Sequence, residues 1–548
     1  MKNNFAKIII ILAVMVGLLA MLSFFQGRMN GVRATYHLTD NTPLENAPPV
    51  VAFTSVAMGG FRGLLADYLW LRSGRMQDEG KYYEMVQLAD WIVKLQPRYT
   101  GAHAFLGWNM AYNVSVTFTS FEDRWRWVKR GIELIRDEAL EYNPGDPELF
   151  RQLGWIYQHK MGKEMDDANL YYKTQMAEEM IRLFGDYYGQ WELLDRSPLT
   201  ERKLIAVLDK KADDYRRIMA ENAMTFAMLE EQFRDKAILP ESVKGEFDEL
   251  GISKDVELCL RHRWMVNKYR LDPKVLMRCN EVYGDLDYRL PEAHAIYWAH
   301  RGKEKWFTAA SKFKRLSCDR MIFQSLNGAF QTGRLLYLKG DLRTLQMTPN
   351  FAIADAADAA YRQAIEEYPE MQRQTGPYVN FLVDGVVRLY MFGYKKKAAQ
   401  WFANGKKLNE GRFAGELEAF VLKELAQDME AASRQQAQGH IQSYLYQASN
   451  FLAYAENESS DEFKSFESLT ITAKMLYDHY AKFVEGTTLR RGLPPFDEMR
   501  KTSLRTTHDY LKSNEVTKQL ADNLARYQLP SMERFIPRAE EIKAPKVK

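Results

Sequence analysis

Three cysteines in 548 residues, Cys259, Cys279 and Cys318, cannot build a disulfide framework, and none belongs to a Cys-x-x-Cys pair. Buried thiols outside any disulfide are expected. Proline (18) and glycine (32) are sparse, so few breakers interrupt the chain and long regular elements are expected. Neither sign of charge prevails: 75 Lys and Arg against 72 Asp and Glu leave a net charge of +3. The basic excess of a nucleic-acid binder is missing. With 46% hydrophobic and 13% aromatic residues the chain is too apolar for disorder, and with 27% charged residues it is too polar for a multi-span membrane protein. At roughly 150 residues per domain, the length suits three or four units or one long array.

Catalytic motifs are scarce as well. Nine histidines are scattered without an HExxH pair or zinc-ligand spacing. His294 and His300, six apart, do not share a helix face, and His262 between Arg261 and Arg263 reads as part of a solvated face. The run Gly59-Gly60-Phe61-Arg62-Gly63 lacks a following Lys-Ser/Thr, so it suits close helix approach better than a phosphate cradle. The alternative there is a polar patch of Arg62, Asp67 and Arg72. No GxSxG elbow occurs. Asp166 and Asp167 are neighbours that point apart on a helix, and Asp285 with Asp287 suits a helix cap. No catalytic, cofactor-binding or metal-binding residue is assigned.

What is present begins at the amino terminus. Ile8–Phe25 is eighteen residues without a charge, about 27 Å of helix and enough to cross a hydrocarbon core. A cleaved secretory signal is the rival reading, since Lys2 and Lys7 form a basic start. Ser23-Phe24-Phe25 puts bulky rings where a cleavage site needs small residues, so an uncleaved anchor is expected. The short basic tail favours a cytoplasmic amino end and a body outside, in a bacterial inner membrane. Residues 28–55, with Thr42-Pro43 and Pro48-Pro49, read as an extended stalk.

The body reads as all-α. Apolar residues recur every three or four positions, as in Tyr82, Val86, Ala89 and Val93, or Ile132, Ile135, Ala139 and Tyr142. Strand-like alternation is nearly absent. Breaks at Gly80, Pro97, Pro144, Pro198, Pro291, Gly302, Gly393 and Pro494 suit helices of roughly 12 to 20 residues joined by tight turns. Ser459 with Glu462 forms a capping box. The segment Phe121, Arg124, Trp125, Arg126, Trp127, Lys129 and Arg130 alternates basic and aromatic residues, as surfaces that stack bases or sugars do. An amphipathic helix with its Trp packed inward, Trp127 and Gly131 seated on the next helix, is the reading favoured.

The spacing Phe150-x2-Leu153-Gly154-x2-Tyr157 after Pro144 resembles the first helix of a tetratricopeptide repeat. In that family the small residue lets the second helix come close. Leu69, Ser73, Gly80, Tyr82 and Pro97 fall at the same relative spacing, as do Leu106-Gly107 with Ala139 and Pro144 in a stretched unit, and Leu382, Leu389, Gly393, Ala398, Trp401 and Phe402. Arg72 stands where a Leu is expected, Gly385 is one position early, and Ala168, Tyr171 and Tyr172 come late for the second helix of the Phe150 unit. The runs Gly59–Asp67, Gln87–Trp91 and Leu290–Ala299 are similar to those of a group of uncharacterised bacterial proteins with an amino-terminal anchor and degenerate repeats, which carries over no activity. The resemblance implies a helical-hairpin solenoid behind a single transmembrane helix. Its parts are an anchor (1–27), a stalk (28–55), repeats (56–199), a charge-rich helical insertion (200–290), further repeats (291–430) and a C-terminal helical region with a basic tail (431–548).

Such an array presents a concave face to a peptide or folded partner and needs no catalytic group. A membrane-anchored scaffold for protein–protein interaction in envelope assembly or export is therefore expected, with Asn109, Asn113, Arg151 and Gln158 as partner-contacting residues. The alternatives are an envelope enzyme with facing carboxylates in a cleft within 200–300, or a glycan- or peptidoglycan-binding module using the Trp-rich face. No cofactor and no nucleic acid is implied.

Overall fold

The computed structural model describes residues 2–35, 61–163, 165–305, 312–338, 341–368, 371, 375–427, 429, 433–484 and 492–527. The chain divides into two units, Met1–Leu64 and Leu65–Lys548. In the first, α1 runs over Lys2–Thr35. The stalk expected from residue 28 begins no earlier than 36, because no proline precedes Pro43 and the helix continues through Gly31, whose carbonyl accepts from Thr35 Oγ1 at 2.9 Å. The side chains of Ile8–Ala13 lie outside the described residues, as do residues 36–60 with Gly59-Gly60. Among the described residues no helix is long and apolar enough to cross a membrane.

Among its described residues the second unit is all-α but for one hairpin, and the structure is about 80% helical. Its first helices are α2 (Phe61–Asp78, counted here from Leu65), α3 (Tyr82–Leu95), α4 (Thr100–Asn109), α5 (Phe121–Glu133) and α6 (Pro147–Trp155). Their starts follow ordinary capping chemistry: Ser120 accepts from the Asp123 amide, and Asp146 accepts from the Glu148 and Leu149 amides ahead of Pro147. Helices α4, α5 and α6 each continue into a π-helical turn, Met110–Val114, Leu134–Ala139 and Ile156–Gly162.

Glycine sets the closeness of α4 and α5. A Cβ on Gly131 would lie 2.5 Å from the Gly107 carbonyl oxygen, and one on Gly107 would lie 2.6 Å from Ile135. A backbone carbonyl cannot swing aside as a side chain can. Gly131→Ala gains about 1 kcal/mol of helix propensity and still should lose about 2 kcal/mol net by overpacking. Chemical denaturation measures this, and an unchanged midpoint would contradict the packing described. The same device recurs between α18 (Gly376–Met391) and α19 (Lys395–Leu408), where a Cβ on Gly385 would lie 2.3 Å from the Trp401 ring. Gly385, one position early for the repeat spacing, is thus the contact residue of its hairpin.

The partner of α6 is not the next helix in the chain. It packs on α15 (Pro291–Lys305), with Gly154 against the Ala295 carbonyl and Ala299 amide, and Gly302 against Phe150. This explains why Ala168, Tyr171 and Tyr172 come too late. Everything between is inserted into one hairpin, a longer stretch than the 200–290 expected. The insertion comprises α7 (Asn169–Phe184), α8 (Trp191–Arg196), α9 (Glu201–Leu208), α10 (Ala212–Glu221), α11 (Phe226–Lys236), α12 (Glu241–Leu250), α13 (Ser253–Tyr269) and α14 (Pro273–Tyr283).

Beyond α15, α16 (Lys312–Thr332) leads into an antiparallel hairpin, β1 (Arg334–Leu338) and β2 (Asp341–Thr348), pairing Leu335 with Met347 and Leu336 with Gln346. This hairpin was not expected; its sequence signal is Gly340 between the runs Leu335–Leu338 and Leu342–Thr348. Then come α17 (Ala354–Glu367), α18, α19, α20 (Leu417–Leu425), α21 (Arg434–Tyr454), α22 (Asp461–Val484), α23 (Phe496–Ser513) and α24 (Lys518–Arg526). Ser459 does not cap α22: the Phe463 amide donates to Ser460 Oγ, and Glu462 pairs with Arg334. The capping box is instead Ser433 with Gln436, opening α21.

Buried histidines couple this core to pH. His294 is 2% exposed, with Nε2 at 2.8 Å from the Tyr288 carbonyl, and burial lowers its pKa to about 4. An unfolded His titrates near 6.5. The folded state therefore binds fewer protons, and stability present above about pH 6.5 is lost as pH falls toward 4. Burial also lowers the pKa of His103, His262 and His300. We expect the melting temperature to fall steeply between pH 6.5 and 4, with a shallower slope in His294→Gln; an equal slope in that variant would refute the assignment.

Candidate functional site

The phase of α4 and α6 decides what each shows to solvent. In α4 and its π-helical turn, Ala102, Leu106, Asn109 and Met110 are buried, which leaves Phe105, Trp108 and Tyr112 half-buried. In α6 and its π-helical turn, Leu149, Phe150, Leu153, Ile156 and Tyr157 are buried, and Trp155 and His159 remain half-buried. With Trp70 of α2 these rings form a continuous ribbon. Centroid separations are 5.1 Å for Trp70–Phe105, 6.5 Å for Phe105–Trp108 and 5.5 Å for Trp108–Tyr112. The ribbon crosses to α6 through Tyr112–His159 at 5.8 Å and ends in His159 stacked on Trp155 at 4.5 Å and 13°. Tyr99, 45% exposed, flanks it 5.7 Å from Trp70.

Ionic groups hold the ribbon from below. Lys160 Nζ sits 5.3 Å from the centre of the Tyr112 ring and 2.5 Å from Asp166 Oδ2. Burial outweighs the Asp166 hydrogen bond at Lys160 and lowers its pKa. Burial pushes the Asp166 carboxyl up, but the Lys160 hydrogen bond and the Ala168 amide outweigh it and hold the group below its ordinary value. Arg124 binds both Asp166, at 3.1 Å, and Asp167. The two carboxylates thus converge on one guanidinium instead of pointing apart. The other residues of that basic–aromatic segment are engaged too: Trp125 is buried on Tyr172, Trp127 lies 5.7 Å from Tyr83, and Arg126, Lys129 and Arg130 pair with acids. The packed reading describes it, except that Trp127 and Gly131 seat on preceding helices, at Tyr83 of α3 and Gly107 of α4, and not on the next.

The four residues expected to contact a partner do not form a surface. Asn109 is fully buried, accepting from Asn113 Nδ2 at 2.6 Å and donating to Met85 Sδ at 3.5 Å. Gln158 is 4% exposed and donates to the Met321 carbonyl at 2.9 Å and Ser325 Oγ at 2.8 Å. These two tie α4 to α3 and α6 to α16. Arg151 is half-buried and held by Glu148, and Asn113 is half-buried on Asn109. The available rings lie one position round each helix, about 100° away.

The thiols are enclosed. All three cysteines are buried and in no disulfide, and burial pushes the Cys259 and Cys279 thiols up to about 12. Asp287 caps no helix; it accepts from Tyr188, the Leu335 amide and the Arg289 guanidinium, fastening β1. His262 belongs to no solvated face: it is 4% exposed, with Nδ1 at 2.9 Å from the Ser197 carbonyl, and Arg261 beside it is 5% exposed. Among the described residues no three His, Cys, Asp or Glu side chains converge as metal ligands. A cleft does open where the insertion meets α15, but its acids are engaged: Asp272 caps α14 through the Lys274 amide, and Asp195 lies 4.0 Å from Lys274 Nζ. It offers no facing carboxylate pair for glycoside hydrolysis.

Compared with known proteins, the chain matches no family model, no curated protein and no solved structure.

Proposed function

We propose that this chain is a membrane-anchored helical-repeat scaffold that captures a protein partner on the aromatic ribbon of α2, α4 and α6, in bacterial envelope assembly or export. The observation that carries the reading is the ribbon itself: six rings, stacked or tilted on one another and left half-buried. Interface cores are enriched in Trp and Tyr, and a contiguous apolar patch on a folded surface marks an interaction site. The two π-helical turns at Tyr112 and His159 add to it, since such turns are frequent at functional sites. The glycine-spaced hairpins support a tetratricopeptide-like array, and the uncharged run Ile8–Phe25 within α1 supports a single span with the body outside the cytoplasm.

The favoured occupant is an extended segment laying apolar or aromatic side chains on the flat ring faces. Cross-linked purification from native membranes, comparing the intact chain with the double variant Trp108→Ala, Trp155→Ala, tests it. One partner set held by the intact chain and lost by a variant that is still folded at the temperature of the experiment is expected. Unchanged capture would remove the ribbon from the account, and binding to purified sacculi in place of a protein would favour the glycan-binding alternative.

A further inference from the structure

The insertion meets the hairpin that it interrupts along a cleft of about 740 Å³, a volume within the range of small-molecule sites. One wall is the segment Asp195–Leu199 with Lys203 of α9, the other is the end of α13 with Arg270 and Lys274, and Arg301 of α15 closes it from the array side. Its charge is lopsided. Arg196, Lys203, Arg270, Lys274 and Arg301 line it, opposed by Asp195 and Asp272 alone.

Three of these cations have acid partners, Arg196 in Glu192, Arg270 in Asp137 and Glu141, and Lys274 in Asp195; two do not. No carboxylate among the described residues pairs with Lys203 or Arg301. Arg301 is held by rings instead, its guanidinium carbon 4.9 Å from the Phe150 centroid and 5.4 Å from that of Trp298. Stacking fixes the guanidinium plane and leaves its N–H edge for an acceptor. Arg270 adopts the left-handed backbone region (φ 54°), and its Nε faces Asp137 Oδ1 at 3.8 Å without a hydrogen bond. Its outer nitrogen reaches Glu141 at 3.1 Å.

The walls are built rather than incidental. His262 Nδ1 is fixed on the Ser197 carbonyl, and Arg263 donates to the Leu199 carbonyl at 2.6 Å, so both side chains clamp the Asp195–Leu199 segment. Tyr297 Oη donates to the Arg270 carbonyl at 3.1 Å and accepts from the Asp272 amide at 2.9 Å, which holds the opposite rim. With Nδ1 so engaged, Nε2 is the remaining position of the His262 ring for a ligand. A neutral ring in that tautomer would accept a hydrogen bond there.

We propose that this cleft is a binding site for a small organic phosphate bearing hydroxyl groups. Arg301 and Lys203 take the phosphate, Lys274 and Arg270 complete its charge, and His262 Nε2 accepts from a ligand hydroxyl. Several cations spread around one cavity fit a multiply charged tetrahedral group better than a single planar carboxylate. The inference rests on the insertion and is independent of the aromatic ribbon.

The test is calorimetric titration of the full-length, detergent-solubilised chain with inorganic pyrophosphate, and separately with citrate, while the His262 ring signal is followed by NMR. Lys203→Glu with Lys274→Glu is the variant of choice, because both side chains are exposed and reversing them leaves the core untouched. Expected are saturable pyrophosphate binding at one site, a shift of the His262 signal, and affinity at least tenfold weaker in the variant with an unchanged melting temperature. Binding that does not saturate, or is equal in the variant, overturns the proposal; tighter binding of citrate than pyrophosphate overturns the phosphate assignment.

Discussion

Glu292→Gln should destabilise the second unit by about 3–5 kcal/mol, the cost of leaving a buried charge without its partner. Glu292 Oε1 accepts from Lys173 Nζ at 2.9 Å, and the two side chains are 5% and 8% exposed. The pair joins α7, the first helix of the insertion, to α15, the helix that resumes the interrupted hairpin, so its loss should loosen the insertion from the array. Glu292 Oε2 is buried with no hydrogen-bond partner, which leaves the ammonium as the carboxylate's main compensation. Removing both charges should behave differently. Lys173→Met combined with Glu292→Leu is expected to recover most of the loss, since apolar replacement of a buried pair is often neutral or stabilising. Denaturant melts of the single and double variants measure both. A single variant within 1 kcal/mol of the parent would show that water reaches the pair.

The second large effect concerns binding. Trp108→Ala and Trp155→Ala should each weaken partner binding by at least about 2 kcal/mol, roughly thirtyfold, as aromatic anchors at interface centres do. Both rings are half-buried, Trp155 against the core, so truncation also costs stability, and binding is compared at a temperature where both variants are folded. Gln158→Ala should show the reverse pattern. It removes the bonds to Met321 and Ser325, costing about 1–3 kcal/mol of stability, and leaves the ribbon's affinity nearly intact. The crossing of these two patterns separates the docking face from the residues that hold it in shape.

How much of this was legible in the sequence differs by level. Helical class, and the hairpins' small residues, follow from periodicity and spacing alone: Gly107, Gly131 and Gly154 sit where helices must approach closely. The pairing of α6 with α15 is not legible, because Pro291 lies well over a hundred residues downstream and spacing rules read neighbours only. The proposed docking face was missed by one position. Asn109, Asn113 and Gln158 are polar, which suggests exposure, yet Asn109 and Gln158 satisfy hydrogen bonds inside; the stripe Phe105, Trp108 and Tyr112 was the available signal. The π-helical turns at Met110–Val114 and Ile156–Gly162 shift the helical phase, and no local residue pattern announces them. His262 misled similarly, since Arg261 and Arg263 on either side are drawn inward by backbone carbonyls.

The scaffold proposal stands on a protein partner docking at the ribbon. Placing the photo-cross-linking residue p-benzoylphenylalanine at position 108, and as a control at position 510, whose native Tyr is 74% exposed on α23, tests it most directly in native membranes. One discrete cross-linked protein is expected from position 108, absent when Trp155→Ala is added, and none from position 510. Equal cross-linking from both positions, or none from 108 in a folded, membrane-bound chain, would contradict it.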